Sequence, residues 1–233
     1  MQTLTTAAQD FLPLLRRGKW FNSLPLPLQT SLLALAHVCE YSPGECLFSR
    51  GHPDNGIFAV LEGMIKIAGV SASGKEAILT MIDPPNWFGE IALFDREART
   101  HDAYADGSIV VLHIPHKELD ALLEAHPHYW REFGRLLTQK LRLTFRAIED
   151  LALLPAPMRL SRRLVMMAEG YGELKGQSRR IINVSQEQLG LILSISRQTA
   201  NQILKDLEAK GIIRVTYGEI EICDLDALRQ LGR

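Results

Sequence analysis

Several residue types that would point to particular chemistries are scarce in this 233-residue chain. Its three cysteines, Cys39, Cys46 and Cys223, are too few and too far apart for a disulfide framework or a cysteine metal cluster. Because no long apolar run is present, neither a membrane span nor a membrane partner is expected. The first ten residues lack a basic segment and include Asp10, which argues against a secretory signal. The sequence therefore predicts a cytoplasmic protein with reduced thiols.

An excess of one charge is also missing, since the formal net charge is only −1. The balance nevertheless differs along the chain. From Pro155 onward there are 12 Lys and Arg against 9 Asp and Glu, whereas the preceding residues contain 14 against 18. A basic C-terminal part suits contact with phosphates. The length allows one large or two smaller domains, and a content of 46% hydrophobic residues is that of an ordinary globular protein.

Residues 130–154 contain no proline and only one glycine, and their apolar residues recur at helical spacing. This pattern predicts one long helix of about 37 Å, which Pro155 ends. Two apolar stripes predict that one faces a second chain and the other the chain's own body, although an ordinary core helix is the alternative. The first stripe has heptad spacing and comprises Leu137, Leu141, Thr144, Ile148 and Leu151. The second stripe comprises Phe133, Leu136, Leu143, Ala147 and Leu154.

In the sequence before this helix, the spacing of apolar residues changes at about His37. Residues 1–36 have apolar groups at helical spacing on both sides of Pro25-Leu-Pro27, and we predict helices there. From His37 to His116, short apolar runs alternate with glycine-bearing turns, which predicts an all-β sandwich or barrel. A short helix over 117–125 would then lead into the long one. The predicted strands are Cys46–Phe48, Ile57–Leu61, Met64–Ile67, Ala77–Met81 and Ile109–His113.

The part after Pro155 predicts a helix, a short turn, a second helix and a hairpin. Ser185-Gln-Glu-Gln188 is a capping box that would begin one helix. Ser196 would cap the next helix, which Gly211 would end. This order is that of a winged helix-turn-helix. The other predicted elements are a helix over 158–169, strands over 179–184, 212–216 and 219–223, and a last helix over 224–231.

Three motifs in this order resemble the Crp/Fnr family of bacterial transcription regulators. Residues 51–67, with Gly51, Gly56 and Gly63, resemble the family's β-roll signature. Residues 88–100 resemble the phosphate-binding cassette of cyclic-nucleotide sites, and residues 196–202 resemble the start of its recognition helix. The resemblance covers nearly the whole chain and implies an α+β protein. Its parts would be a β-roll sensor domain (a double-stranded β-helix or jelly roll) over 1–127, a dimerisation helix over 128–154 and a winged helix-turn-helix DNA-binding domain over 155–233.

The resemblance implies a homodimeric, sequence-specific DNA-binding transcription regulator that is not an enzyme and is gated by a small molecule. The expected partners are double-stranded DNA, a second copy of the chain and RNA polymerase, and the expected ligand is cyclic AMP or another cyclic mono- or dinucleotide. Two alternatives stay open: the same DNA-binding dimer without a nucleotide ligand, and a nucleotide-binding regulatory subunit. No metal site is predicted, because no two histidines lie four residues apart on a clear helix among His113, His116, His126 and His128.

The cassette resemblance implies a ligand site with a physical rationale. Gly89 lies at a helix start, where backbone N–H groups can approach a phosphate closely. Arg99 can offer the phosphate a planar fork of donors, and Thr100 can add a hydroxyl. Glu90 can accept a hydrogen bond from a ribose 2′-OH. With Ile91, these four residues form the cassette part of the predicted ligand site.

The alternative is a purely structural cassette, in which the glycine makes a turn, the glutamate is solvated and Arg99 pairs with Asp95 or Glu97.

Two residues of the long helix are relevant to which base the ligand carries. Cyclic-AMP-responsive family members present adjacent hydroxyl residues to the adenine there, and the corresponding positions in this sequence are Thr144 and Phe145. Thr144 fits this pattern and joins the predicted ligand site, whereas Phe145 replaces a hydroxyl with a ring, which leaves the preferred base open.

The start of the predicted recognition helix carries side chains suited to reading DNA. Arginine can bond guanine in the major groove, and glutamine or asparagine can bond adenine. The family's best-known pattern has Arg-Glu at the first two positions and Arg at the sixth, so Gln198 and Gln202 imply a changed DNA site. A helix-turn-helix used only for protein contact is the alternative. The predicted base readers are Arg197, Gln198, Asn201 and Gln202. The predicted phosphate contacts are Ser196, Thr199 and Lys205.

Overall fold

The computed structural model describes residues 2–4, 7–53, 55–174, 177–216 and 218–232. The chain divides into two compact units. One comprises Met1–Gly74 and Leu79–Leu141, and the other comprises Lys75–Ile78 and Arg142–Arg233. Their C-terminal boundary falls within a continuous helix. No helix in the described ranges is both long enough and apolar enough to cross a bilayer.

The predicted β domain forms a sheet with the strand order β1-β2-β7-β4-β5, while β3 pairs with β7 and β6 with β4. Side chains alternate between two faces of β4. Ile57 and Ala59 enter a core shared with helices, whereas Phe58 and Val60 enter the inner core of the roll. The strands are β1 Gln2–Thr3, β2 His37–Tyr41, β3 Cys46–Phe48, β4 Ile57–Val70, β5 Glu76–Ile82, β6 Trp87–Phe88 and β7 Asp102–Ile114.

Two predictions in this region are wrong. The chain does not break into two strands at Gly63, because β4 continues through it with shifts of register between Val60 and Met64. Gly63 has a φ of +76°, and a Cβ there would lie 2.4 Å from the carbonyl oxygen of Ser108, so the position requires glycine within a bulge. The extreme N-terminal part is not helical throughout either, since Gln2–Thr3 is a strand paired with β2.

Helices cover one face of this sheet, and the predicted long helix is confirmed as α6. Trp20 fixes the start of α6: its indole Nε1 donates to the carbonyl oxygen of Glu132 at 2.8 Å. Its ring also packs edge-on against Phe133, with ring centroids 5.5 Å apart. The helices are α1 Leu12–Leu15, α2 Lys19–Ser23, α3 Leu26–Leu35, α4 Ile91–Asp95, α5 His116–Ala125 and α6 Trp130–Leu153, with 3₁₀ turns at Ala8–Phe11 and Pro127–Tyr129.

Burial along α6 changes near its middle. Phe133 and Leu136, from the second predicted stripe, are buried in the first half. From the middle of the helix onward, Leu141, Ile148 and Leu151 of the heptad stripe are 48%, 57% and 57% exposed in the single chain. Monomeric proteins rarely expose contiguous apolar patches of this kind without a binding role. The heptad stripe is therefore available for contact with another surface.

The second unit contains the predicted winged helix-turn-helix, which is confirmed. The capping box is present: the Ser185 hydroxyl oxygen accepts from the backbone N–H of Gln188 at 3.1 Å, and the Gln188 side chain accepts from the backbone N–H of Ser185 at 2.8 Å. The strands of its small sheet have the order β8-β10-β9. The elements are α7 Ala156–Ala168, β8 Ile181–Asn183, α8 Gln186–Leu193, α9 Arg197–Ala209, β9 Ile213–Thr216, β10 Glu219–Ile222 and α10 Leu225–Leu231, with a 3₁₀ turn at Gly170–Gly172.

Candidate functional site

The cassette lies where β6 turns into α4. Gly89 has a φ of +96°, and a Cβ there would lie 2.9 Å from the carbonyl oxygen of Gly56 and 3.1 Å from a guanidinium nitrogen of Arg99. The backbone just before β4 and the arginine therefore approach this turn too closely for any side chain. Glu90 follows at the N-cap position of α4. Gly89, Glu90 and Arg99 therefore meet at one glycine turn.

Arg99 is the central side chain of the cassette, and it is only 5% exposed. Its guanidinium donates to the carbonyl oxygen of Gly89 at 2.8 Å, to Asn55 Oδ1 at 2.6 Å and to the carbonyl oxygen of Gly56. The same group lies over the ring of Phe48, 4.3 Å from the ring centroid. These acceptors fix the orientation of the guanidinium. The arrangement is a preoriented cation beside a glycine turn.

The other predicted ligand residues have more open positions. Ile91, the first residue of α4, is exposed, as is Thr100, whose hydroxyl lies 3.0 Å from His101 Nδ1. Thr144 and Phe145 belong to the part of α6 in the second unit, and both are exposed. The structure therefore brings Gly89, Glu90 and Arg99 together, and the ligand roles of Ile91, Thr100 and Thr144 stay predictions.

Glu90 has a partner that the sequence did not indicate. The carboxylate is 3% exposed and accepts from Lys140 Nζ at 2.7 Å. The same ammonium group donates to the carbonyl oxygen of Trp87 at 2.6 Å. The alternative that Glu90 is solvated is therefore wrong. Lys140 was missed because it lies 50 positions further along the chain, on α6, where a lysine reads as an ordinary surface residue.

Replacing Lys140 with methionine is expected to lower the free energy of unfolding by about 2 kcal/mol. In this variant the buried carboxylate of Glu90 loses this cation. A buried charge without its partner destabilises the folded state. Lys140→Arg is the matched control, because it keeps a cation of similar reach. Urea unfolding at neutral pH provides the measurement. A methionine variant that unfolds at the same urea concentration as the arginine variant would show that the pair adds no stability.

Asn55 was also missed, and it links two parts of the inner core. Its side chain orients Arg99, and its backbone oxygen accepts from His113 Nε2 at 2.6 Å. Burial lowers the pKa of His113 below the usual imidazole value, which favours the neutral ring. That ring stacks on Phe58, with centroids 4.6 Å apart. No local pattern could have singled out this asparagine, because its role depends on residues more than 40 positions away.

The second candidate site is the helix-turn-helix. Ser194 adopts a left-handed conformation with a φ of 54°, and the turn then leads into α9 at Ser196. A Cβ on Gly190 would lie 3.0 Å from the carbonyl oxygen of Ile195, so glycine lets the turn pack closely on α8. The Ser196 hydroxyl oxygen accepts from the backbone N–H of Thr199 at 3.0 Å, which confirms the predicted cap. Four residues of α9 face the core: Ala200, Ile203, Leu204 and Leu207.

The predicted DNA contacts lie away from this core. The burial pattern leaves one side of α9 open, as a recognition helix requires. One of these side chains is already engaged, because the Gln202 amide donates to Asp206 Oδ1 at 2.9 Å. Asn201 is partly buried. The exposed predicted residues are Ser196, Arg197, Gln198, Thr199, Gln202 and Lys205. Among the described residues, no group of three or more His, Cys, Asp or Glu side chains could hold a metal ion.

Two known domain families match the parts of the chain that contain these two candidate sites. The cyclic nucleotide-binding domain matches residues 38–126, and the Crp-like helix-turn-helix domain matches residues 158–231. The first range contains the cassette and the second contains α8 and α9. Together they define a DNA-binding transcription regulator with a cyclic nucleotide-binding domain. The chain belongs to the Crp/Fnr family, as its motifs indicated.

Named relatives span nearly the same length. The chain is 26% identical over 221 residues to a CRP-like cAMP-activated global transcriptional regulator of Mycobacterium tuberculosis, which covers 94% of this chain and 99% of the relative. The solved structures that share this fold include the following two. The c-di-GMP responsive global regulator CLP of Xanthomonas campestris has a TM-score of 0.66 at 21% identity, covering 85% of this chain and 99% of that one. FixK2 of Bradyrhizobium japonicum has a TM-score of 0.75 at 17% identity, covering 85% and 98%.

Proposed function

We propose that this regulator is a homodimer whose affinity for DNA is controlled by a cyclic nucleotide bound at the cassette. The observation that carries the proposal is the buried, preoriented guanidinium of Arg99 beside Gly89. A planar guanidinium can bond two oxygens of a cyclic phosphate at once, and its low exposure strengthens that attraction. Glycine supplies the backbone approach that a phosphate needs, and the exposed Thr100, next to Arg99 in the sequence, offers a hydroxyl.

The proposed ligand class is a cyclic mono- or dinucleotide. The relative from Mycobacterium tuberculosis is named for activation by cAMP, and the regulator from Xanthomonas campestris for its response to c-di-GMP. Because Phe145 stands where the family resemblance implies a hydroxyl in cyclic-AMP-responsive members, we propose no preferred base.

Calorimetry on the full-length protein with cyclic AMP, cyclic GMP and cyclic di-GMP tests the proposal. One of these ligands is expected to bind and to change the affinity for DNA by roughly fivefold or more, the usual lower range of allosteric coupling. DNA affinity is measured with and without that ligand at one fixed salt concentration. Gating by a cyclic nucleotide would be contradicted if the protein binds none of these ligands. It would also be contradicted if the bound ligand leaves the affinity for DNA unchanged.

The dimer part of the proposal depends on α6. The exposed residues of its heptad stripe, Leu141, Ile148 and Leu151, have the spacing of helices that pack lengthwise, and two copies would bury them symmetrically. A dimer suits the helix-turn-helix, because paired recognition helices read half-sites about 34 Å apart. We propose double-stranded DNA and RNA polymerase as the partners of this dimer, since a transcription regulator acts on the polymerase at its promoter.

A second candidate is the same DNA-binding dimer without a nucleotide ligand. The observation that favours it is that the key cassette side chains already have protein partners. Arg99 is bonded to the carbonyl oxygen of Gly89, and Glu90 is bonded to Lys140. With these internal hydrogen bonds, the cassette can stabilise the fold without binding a ligand. Calorimetry separates the two candidates, because only the gated regulator binds a cyclic nucleotide.

Replacing Arg197 with alanine is expected to weaken binding to the preferred DNA site by about 10- to 100-fold. Arg197 is exposed at the first position of α9, where a bidentate bond to guanine would supply about 1–3 kcal/mol. Fluorescence anisotropy measures the affinity of the protein for a duplex with the selected site and for a scrambled duplex. Lys205→Ala is the matched control. It is expected to lower the affinity for both duplexes by the same factor. Equal losses on both duplexes for Arg197→Ala would contradict base reading by this residue.

A further inference from the structure

One predicted base reader on α9 is held in a defined orientation by a neighbour one helical turn away. Gln202 Nε2 donates to Asp206 Oδ1 at 2.9 Å, and both side chains are exposed. Pairs of this type, four residues apart, are favourable on helix surfaces. A carboxylate offers acceptors only, so the nitrogen end of the amide must face Asp206. The chemistry therefore settles which way round the Gln202 amide lies.

We propose that Asp206 is a specificity-determining residue that makes Gln202 select adenine over guanine. This inference rests on the proposed DNA contacts of α9. A free glutamine amide has two N–H donors and one acceptor, and Asp206 occupies one of the donors. The remaining donor and the carbonyl oxygen match adenine, which shows the N7 acceptor beside the N6 amino donor. Guanine shows two acceptors, N7 and O6, and the amide has only one N–H left for them.

Gln198 provides an internal comparison on the same helix. It is exposed and lies one turn before Gln202, but its neighbour four residues on is Gln202 itself rather than a carboxylate. The loss of a donor to a carboxylate therefore applies to Gln202. Asp206 also repels phosphates, which lowers affinity for every DNA sequence equally. Selectivity and overall affinity can be separated because they respond differently to the charge and to the acceptor of this side chain.

Binding of the full-length protein to its selected site is measured first, with each A·T pair replaced in turn by G·C. Gln202→Ala locates the base pair that Gln202 reads, because the ratio of adenine to guanine affinity falls towards one there. Asp206→Ala is expected to lower that ratio by about three- to tenfold at the same pair, a part of the discrimination a bidentate contact supplies. Asp206→Asn removes the charge but keeps an acceptor oxygen, so it is expected to retain most of the ratio.

The outcomes distinguish this inference from the proposed function. If Asp206→Ala and Asp206→Asn both raise affinity and leave the ratio unchanged, Asp206 acts through charge alone and the inference is overturned. A shift in preference at a cytosine instead would mean that Asp206 reads a base itself, which also overturns it. A wild-type protein that prefers a sequence but loses no preference in Gln202→Ala overturns this inference only. A wild-type protein without any sequence preference overturns the proposed DNA contacts as well.

Discussion

Replacing Arg99 with glutamine is expected to weaken cyclic nucleotide binding by about 100-fold. The proposed phosphate contact consists of two charge-assisted hydrogen bonds, each contributing about 1.5 kcal/mol. Their sum of about 3 kcal/mol corresponds to roughly two orders of magnitude in the dissociation constant. Calorimetry with the ligand that binds the wild-type protein measures the loss. A glutamine variant with wild-type affinity would place the ligand elsewhere and contradict the proposed site.

The control for this variant has to separate binding from folding, because Arg99 also bonds the backbone at Gly56 and Gly89. Circular dichroism and urea unfolding of the variant show whether the sensor domain keeps its fold. Arg99→Lys keeps the charge but lacks the planar fork, so an intermediate loss of affinity is expected. Thr100→Ala removes one exposed hydroxyl and is expected to cost about tenfold or less.

Replacing Ile148 with glutamate is expected to convert the proposed dimer to monomers at micromolar concentrations. Ile148 lies between Leu141 and Leu151 in the exposed part of the heptad stripe of α6. In a symmetric dimer the change acts twice, since it removes two buried isoleucines worth about 2 kcal/mol each and places two carboxylates in an apolar seam. Analytical ultracentrifugation checks whether the mass falls to that of the 26.1 kDa chain.

Arg146→Glu is the matched control for the dimer, because it also introduces a carboxylate into the second half of α6. Two residues correspond to about 200° around a helix, so Arg146 lies on nearly the opposite side from Ile148. This variant is expected to remain dimeric. If Ile148→Glu also keeps the dimer mass, α6 is not the dimer seam. A monomeric variant is expected to bind DNA much more weakly, since two linked recognition helices gain from avidity.

The parts of the fold that follow from neighbouring residues could be predicted from the sequence. The capping box at Ser185 and Gln188 needs only four residues, and the structure confirms both of its hydrogen bonds. The inward face of α9 follows from the spacing of its apolar residues. The cassette turn was predicted from the resemblance of residues 88–100 to a known family motif, which lies within one short stretch of the chain.

Features that depend on distant residues could not be predicted. A glycine in a strand region marks a turn or a bulge equally well, and only the carbonyl of Ser108 shows that Gly63 belongs to a bulge in β4. The two residues of β1 are too few to show any periodicity. At the cassette, the sequence indicated Arg99 but not Asn55, and Glu90 but not Lys140, because these pairs meet only after folding.

The continuity of α6 from Trp130 to Leu153 limits how its length can change. Each inserted residue turns the rest of a helix by about 100°, so a single insertion near the middle would rotate the later residues of the heptad stripe away from their original direction relative to the first half of the helix. An insertion of seven residues changes that direction by only about 20°. Insertions and deletions in this helix should therefore be tolerated in steps of seven residues, whereas losing one residue should be more harmful than most substitutions.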